Sequence, residues 1–474
     1  MSSRILPRLA ALLVIPLLIL PCFAATGLGA SMTEPASAAA YMVELNTGTV
    51  VYSLNAEAKL YPASTTKMMS AIVALETIAA DPLKSLEDVI TFSRNAVYSI
   101  PWDTMNIGIQ VGEELTVRQV LYAMMLPSAN EACMGMAEYI AGSVDAFVEM
   151  MNKKAEELGL INTHYKNPHG LHDEDHYTCA ADLAKIITHA ITIDTLRDVM
   201  MTQSYTIPET NKTAKRVLTS TNKLILPSNK YYDERVLCGK TGFTTPAGNT
   251  LATYSEVNGM KLVCIIMKAG QGVTFPSTSN MLDWCETNLE LVTMTDIFDY
   301  ARSISTQDGG IVYAQPETEL TLLVPRSVGL SGCEIVYDLP ASVVAPVEKN
   351  QYLGNISFYH NDMLLGSCRL VSRASYNIVT TYAPQTTLPT TPSSVTTPDD
   401  IEDPKQEERT GLVKTFVVAL AAVMLLCGIV YAMVFCGSLY IYSKKHRTRK
   451  DLDVPEFMSD GKERTRKKNA RRKK

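Results

Sequence analysis

From Thr415 to Tyr442 the chain runs for 28 positions without a charged residue. About 20 apolar residues span a bilayer as a helix, so this stretch spans with room to tilt. It is too long and too uniform for the half-polar helix of a globular core. Lys444, Lys445, Arg447, Arg449 and Lys450 follow at once, and basic flanks stay in the cytoplasm. From Lys444 onward 14 Lys+Arg stand against 5 Asp+Glu, a charge of +9, while the whole chain of 474 residues carries −6. The part before Lys444 therefore carries −15. Two environments are implied: an acidic body outside the cell and a basic tail inside. The acidic body also argues against nucleic acid as a partner.

The other end agrees. Arg4 and Arg8 precede the apolar run Leu9–Leu20, and small residues dominate Ala24 to Ala40. That order describes a secretory signal peptide over 1–30, cleaved within 24–40. Pro21 stands before Cys22, where lipid attachment would want a small residue. Near the membrane, 383–410 is a Thr/Pro-rich and then charged stretch that cannot bury enough surface to fold, so it reads as a stalk. The membrane helix is assigned to 411–442 and the cytoplasmic tail to 443–474. Upstream, 291–382 alternates short strand-like runs with turns, including Glu319–Val324, Cys333–Tyr337, Asn355–Tyr359 and Leu364–Val371. A small all-β domain is expected there. Residues 35–290 mix helices, expected over Thr66–Ala79 and Ala137–Leu158, with strands. Thr250–Glu256 and Met260–Lys268 flank Val257-Asn-Gly, a hairpin signal.

The 10 cysteines lack CxxC spacing, so neither a zinc site nor a dense disulfide framework is indicated. Buried free thiols are the expected state, with a Cys333–Cys368 pair inside the β domain as the alternative. Four of the 7 histidines, His164, His169, His172 and His176, cluster in a stretch rich in Asn, Pro, Gly and Asp. That composition describes a partly exposed loop. No HExxH-type glutamate accompanies the pair at i and i+4, so no metal is expected.

Three short motifs occur in order: Ser64-Thr-Thr-Lys67 at a helix start, Ser128-Ala-Asn130 between helical stretches, and Lys240-Thr-Gly242 near a strand end. Each alone is weak. Residues i and i+3 share a helix face, so Lys67 can aim its amine at the Ser64 hydroxyl. A serine is a poor nucleophile until a base takes its proton, and lysine serves once burial or a second cation lowers its pKa. Met68, Met69, Ile72 and Lys240 are placed to do both. Ser128 suits a proton relay and Asn130 suits holding a peptide amide, or capping the helix that follows. Lys240 and Thr241 suit a terminal carboxylate. Gly242 lets a ligand backbone approach, and the N–H groups of Ser64 and Phe243 suit an oxyanion hole.

The trio, with alanine where Ser-Asp-Asn has its aspartate, resembles the signature of penicillin-binding proteins and class A β-lactamases. Asn46–Tyr52, Tyr61–Met68, Asn167–His172 and Ala247-Gly-Asn249 extend the likeness over roughly 35–380 to the low-molecular-mass penicillin-binding proteins, the serine-type D-alanyl-D-alanine carboxypeptidases. The resemblance implies an α/β penicillin-recognising domain over 35–290 followed by the β-rich domain. It implies an acyl-enzyme on Ser64 that removes the terminal D-alanine of peptidoglycan stem peptides, with β-lactams as inhibitors and no cofactor. Glu131 stands where the family often has Asp, and Ala181 where Arg is common; both fall off the chemistry on this reading. Two other readings are a silent wall-binding scaffold and a β-lactamase. The latter lacks a Glu-x-x-Leu-Asn-like element between Asn130 and Lys240.

Overall fold

The computed structural model describes residues 32–377; the expected leader, stalk, membrane helix and basic tail lie outside them. Among the described residues no helix is long and apolar enough to cross a membrane.

The chain opens with a hairpin, β1 (Ala39–Glu44) and β2 (Val50–Leu54), whose turn carries the first half of the Asn46–Tyr52 motif. Glu44 is fully buried, and its carboxylate accepts from Asn46 Nδ2, Thr47 N and Lys261 N at 2.8–3.0 Å. Five helices bear on the site: α1 (Thr66–Ala80), α2 (Val117–Met125), α3 (Asn130–Ala141), α4 (Val144–Glu157) and α5 (Ala180–Ala190). Then come β3 (Val236–Thr244), β4 (Gly248–Val257), β5 (Met260–Ala269) and α6 (Thr274–Asn288). The strands form one antiparallel sheet in the order β2-β1-β5-β4-β3. The β4–β5 hairpin turns at Asn258 (φ +49°) and Gly259 (φ +81°), the paired positive φ angles that such a turn demands.

Alternation along the strands divides the core into two layers. Val263, Ile265 and Met267 face α1 to α5. Leu262, Cys264 and Ile266 face Met281, Leu282 and Cys285 of α6. Helix α1 is buried nearly all round, because α2, α3, α4 and α5 all pack on it. A helix so placed must be apolar on every side, and Met68, Met69, Ile72 and Val73 supply that surface. The expected helix Ala137–Leu158 is two helices. Gly142 takes φ +76° and ends α3, and Ser143 restarts the chain by accepting from Ala146 N.

Helix α6 runs straight into β6 (Leu289–Thr293), and an all-β region follows: β7 (Arg302–Thr306), β8 (Ile311–Pro316), β9 (Thr321–Pro325), β10 (Glu334–Asp338), β11 (Ser342–Val343), β12 (Tyr352–His360) and β13 (Met363–Ser372). Six of these form a sheet in the order β10-β12-β13-β8-β7-β11, and β6 pairs with β9. Strand β9 serves two cores. Leu323 packs with the sheet under α6, whereas Leu322 and Val324 pack with Ile356, Phe358 and Leu370 of the β region. Cys333 and Cys368 are both free, as are the other described cysteines.

Candidate active site

Ser64 sits in a single 3₁₀ turn, Ala63–Thr65, immediately ahead of α1. The sequence places it at the start of a helix; the structure makes that start a separate tight turn. Ala63 takes φ +50°, a left-handed backbone that costs a non-glycine residue about 1 kcal/mol. Thr65 Oγ1 ties the turn down by donating to Pro62 O at 2.7 Å. The geometric consequence is the expected one: Lys67 Nζ lies 3.0 Å from Ser64 Oγ.

Two further contacts define what that amine can do. Lys67 Nζ is 2.7 Å from Asn130 Oδ1 and 2.7 Å from the His169 carbonyl. Both are carbonyl oxygens, which only accept. A neutral amine has two N–H bonds and one lone pair. Asn130 and His169 take the two N–H bonds, so the lone pair is left for the Ser64 hydroxyl. Of the three partners, only Ser64 can hand Lys67 a proton. Burial of the fully enclosed amine pushes its pKa from 10.5 down to about 8, against the opposing pull of Cys133 and Glu131. The sequence suggests Lys240 as a second cause, and the two buried amines are coupled: Lys240 is itself lowered, by burial first and then by the charge of Lys67.

Ser128 occupies the turn between α2 and α3 at φ +70°, a second strained backbone in the same site. Asn130 N donates to Met105 O at 2.9 Å, which carries the 101–109 loop to the cleft. Asn130 does not cap α3; Ala129 holds that position, and the Asn130 side chain is engaged by Lys67. Lys240 lies on β3 as expected, but it is not at an exposed strand end. It is 1% exposed, and its amine donates to Ser128 Oγ at 2.9 Å and to Thr241 O at 3.0 Å. β3 turns that side chain inward beneath the Ser128 loop. Thr241 does face the cleft, with its Oγ1 2.6 Å from Thr221 Oγ1.

At Gly242 a Cβ would come 2.8 Å from Pro62 O and 3.1 Å from Ser64 N. Glycine there lets β3 lie against the nucleophile turn, which sets the backbone after Gly242 beside the Ser64 N–H. Phe243, 63% exposed, forms the rim. Ser64, Ser128, Thr241, Gly242 and Phe243 all line one cleft of about 620 Å³.

Two contributors to the site are not apparent from the sequence. The first is the His169 carbonyl. Residues 167–172 form a loop fastened to α1 by Lys67 on His169 O and by Ser70 on Pro168 O (2.6 Å). Gly170 (φ +88°) makes the approach possible, since a Cβ there would fall 1.9 Å from Ala63 O. His169 and His176 are buried rather than loop-exposed, and His176 Nε2 meets Thr66 Oγ1 at 2.8 Å. Burial lowers the pKa of His176 to about 3 and that of His169 as well. Both are neutral scaffolding. Among the described residues no cluster of three His, Cys, Asp or Glu could hold a metal. The second is Glu131. It is buried, accepts from Ile107 N at 2.7 Å, and reaches Lys67 electrostatically. It lies closer to the chemistry than its motif position implies.

Residues 27–271 match the family described as D-alanyl-D-alanine carboxypeptidase, peptidase S11. The chain is 29% identical over 325 residues to D-alanyl-D-alanine carboxypeptidase DacF of Bacillus subtilis (strain 168), covering 67% of this chain and 80% of that one. With D-alanyl-D-alanine carboxypeptidase DacC of Escherichia coli (strain K12) it shares 28% over 357 residues, 72% of this chain and 85% of the relative. The fold resembles that of penicillin binding protein 5 from Haemophilus influenzae, with TM-score 0.61 and 23% identity over 73% of this chain and 99% of that one.

Proposed function

The chain belongs to the peptidase S11 family of D-alanyl-D-alanine carboxypeptidases, and on that premise we propose that it hydrolyses the terminal D-Ala–D-Ala bond of peptidoglycan stem peptides through an acyl-enzyme on Ser64. The observation that carries the reading is the Lys67 amine, 3.0 Å from Ser64 Oγ with its N–H bonds committed to Asn130 and His169. Ser64 Oγ attacks the carbonyl carbon while Lys67 takes its proton. The carbonyl oxygen becomes an oxyanion beside the backbone N–H groups of Ser64 and Phe243. Collapse breaks the peptide bond, and the departing amine receives a proton through Ser128, held in place by Lys240. Water then attacks the ester, which frees Ser64 and completes the cycle. A β-lactam enters by the same attack, but its leaving amine stays tethered to the acyl group.

The full-length protein, solubilised in detergent, is expected to release D-alanine from a peptide ending in D-Ala-D-Ala. It should leave the same peptide ending in L-Ala intact. Equal release from both peptides, or from neither, rules the reading out.

The membrane arrangement is part of the proposal. The uncharged run Thr415–Tyr442 and the +9 tail support an anchor with the catalytic part outside. Met32, Ala39 and Ala40 are buried in the fold, which supports leader cleavage ahead of Met32. Protease added to wall-stripped cells should cut within 383–410 and release an active fragment. A tag placed after Lys474 should stay protected; its digestion from outside would reverse the orientation.

A further inference from the structure

If the family reaction holds, the last two residues of every substrate are D-alanine, and any side chain that tells one peptide from another stands upstream of them. The 101–109 loop offers a place to read one. Met105 lines the active-site cleft, while its neighbour Asn106 lines a second cavity, of about 230 Å³. That cavity begins one residue from the catalytic machinery, because Glu131 in its lining directly follows Asn130.

Chemically the cavity is a carboxylate among apolar and aromatic groups. Ile100, Pro101 and Ile109 give it apolar wall, and Glu131 is the one charged residue in its lining. Glu131 is 3% exposed. Its Oε1 accepts from Ile107 N at 2.7 Å, whereas its Oε2 is buried with no hydrogen-bond partner among the described residues. Burial pushes its pKa up, against the lowering pull of Ile107 N and Lys67. A buried charged oxygen left without a partner is costly, and an adjoining cation offsets that cost. Trp102 stands at the rim, 90% exposed, and indole is the best of the ring faces for a cation. The neighbouring Tyr98 already carries Arg94, 5.0 Å from its ring; Trp102 carries no cation among the described residues.

The loop is held rather than loose. Arg216 donates to Ile107 O at 3.2 Å and pairs with Glu113, which is fully buried and also accepts from Thr210 and Thr213. Asn130 N holds Met105 O at 2.9 Å, and Asn106 Nδ2 donates to Thr104 O at 2.8 Å. One short segment, 105–107, therefore fixes the cavity against the cleft.

We infer that this cavity is a subsite for a primary ammonium group carried on an aliphatic side chain of the substrate peptide, with Glu131 Oε2 as its counter-charge and the Trp102 indole at the rim. An aliphatic stem matches the Ile100, Pro101 and Ile109 wall, as long charged side chains lay their carbon chains along apolar surface. The ammonium brings donors, which Oε2 lacks. A sugar ring could stack on Trp102 but would leave the buried charge unneutralised. The inference rests on the carboxypeptidase reading, and its test separates the two.

Acetyl-Lys-D-Ala-D-Ala and acetyl-norleucine-D-Ala-D-Ala, which differ only by the ammonium group, are titrated calorimetrically against the full-length Ser64→Ala protein, where no turnover intervenes. A charge-assisted hydrogen bond corresponds to about 10- to 100-fold in affinity, so the lysine peptide is expected to bind at least about tenfold tighter. Glu131→Gln keeps an acceptor for Ile107 N but removes the charge, and it should erase the preference. Trp102→Ala should shrink it about two- to fivefold. Because the readout is a ratio of two peptides on one protein, any effect of a variant on Lys67 that both peptides share cancels. Full preference surviving in either variant, or no preference before substitution, overturns the subsite. Should Glu131→Gln fail to fold, Trp102→Ala decides, since so exposed a side chain contributes little to packing. The same peptides are then offered to protein with Ser64 intact. Lysine preference without release of D-alanine removes the reaction and keeps the subsite; release of D-alanine with equal affinity for the two peptides keeps the reaction and removes the subsite.

Discussion

Ser64→Ala is expected to abolish the covalent penicillin adduct and to lower D-alanine release by something on the order of a millionfold, the loss seen when a serine peptidase nucleophile is removed. No other serine can substitute. Ser128 is held by Lys240, and the sole proton donor on Lys67 is the Ser64 hydroxyl. Mass spectrometry of the full-length protein after penicillin treatment should place the added mass on the peptide containing Ser64. An adduct on a different serine, or one that persists in Ser64→Ala, contradicts the assignment. The variant should fold normally, because the Ser64 hydroxyl is bonded to Lys67 alone and removing it opens no cavity in the core.

Lys67→Arg is expected to cost about 10²- to 10⁴-fold in acylation, the usual range for loss of a general base. Positive charge is retained, but a guanidinium does not give up its proton near neutral pH. The planar group also lacks the single lone pair that Asn130 and His169 orient towards Ser64. The pH profile supplies an independent check. With Lys67 titrating at about 8, the reactive neutral amine is the minority form at lower pH. Acylation should therefore rise roughly tenfold per unit up to about pH 8 and level off above it. A rate that is flat from pH 6 to 9, or near-normal acylation by Lys67→Arg, would show that Lys67 supplies only charge.

Much of this site is legible in the sequence, for a physical reason that differs from motif to motif. Ser64 and Lys67 are three residues apart, and local spacing alone brings them together. The β4–β5 hairpin is equally readable, since Asn258-Gly259 is a local turn preference. The strands of the β region are readable because period-two alternation is also local. The division of Ala137–Leu158 into two helices is harder to see, although its signal, Gly142 followed by Ser143, is present. The apolar pattern on either side of the break outweighs it.

The long-range pairings behave differently. Nothing near Lys240 announces that its amine ends on Ser128, 112 residues earlier. Its neighbours Gly239 and Thr241 would suit an exposed strand end equally well. In the sequence His169 stands out as a side chain in a possible metal cluster. It enters the site through its backbone carbonyl, a group every residue carries and no sequence can mark. The amide of Asn130 suits a substrate contact or a helix cap, and only the position of Lys67 shows what it does.

The sequence by itself determined the chemistry available: a serine and a lysine one turn apart, the two partner motifs, an acidic body and a basic tail divided by an uncharged span. Those follow from covalent spacing and composition, which do not depend on how the chain packs. Only the tertiary structure decided which cation serves which group. Burial of Lys67 between α1 and the 167–172 loop lowers its pKa and aims its lone pair. Burial of Lys240 beneath the Ser128 loop ties its amine to Ser128 Oγ and Thr241 O. Desolvation and direction are properties of the packed site, and the sequence carries neither until the fold closes around it.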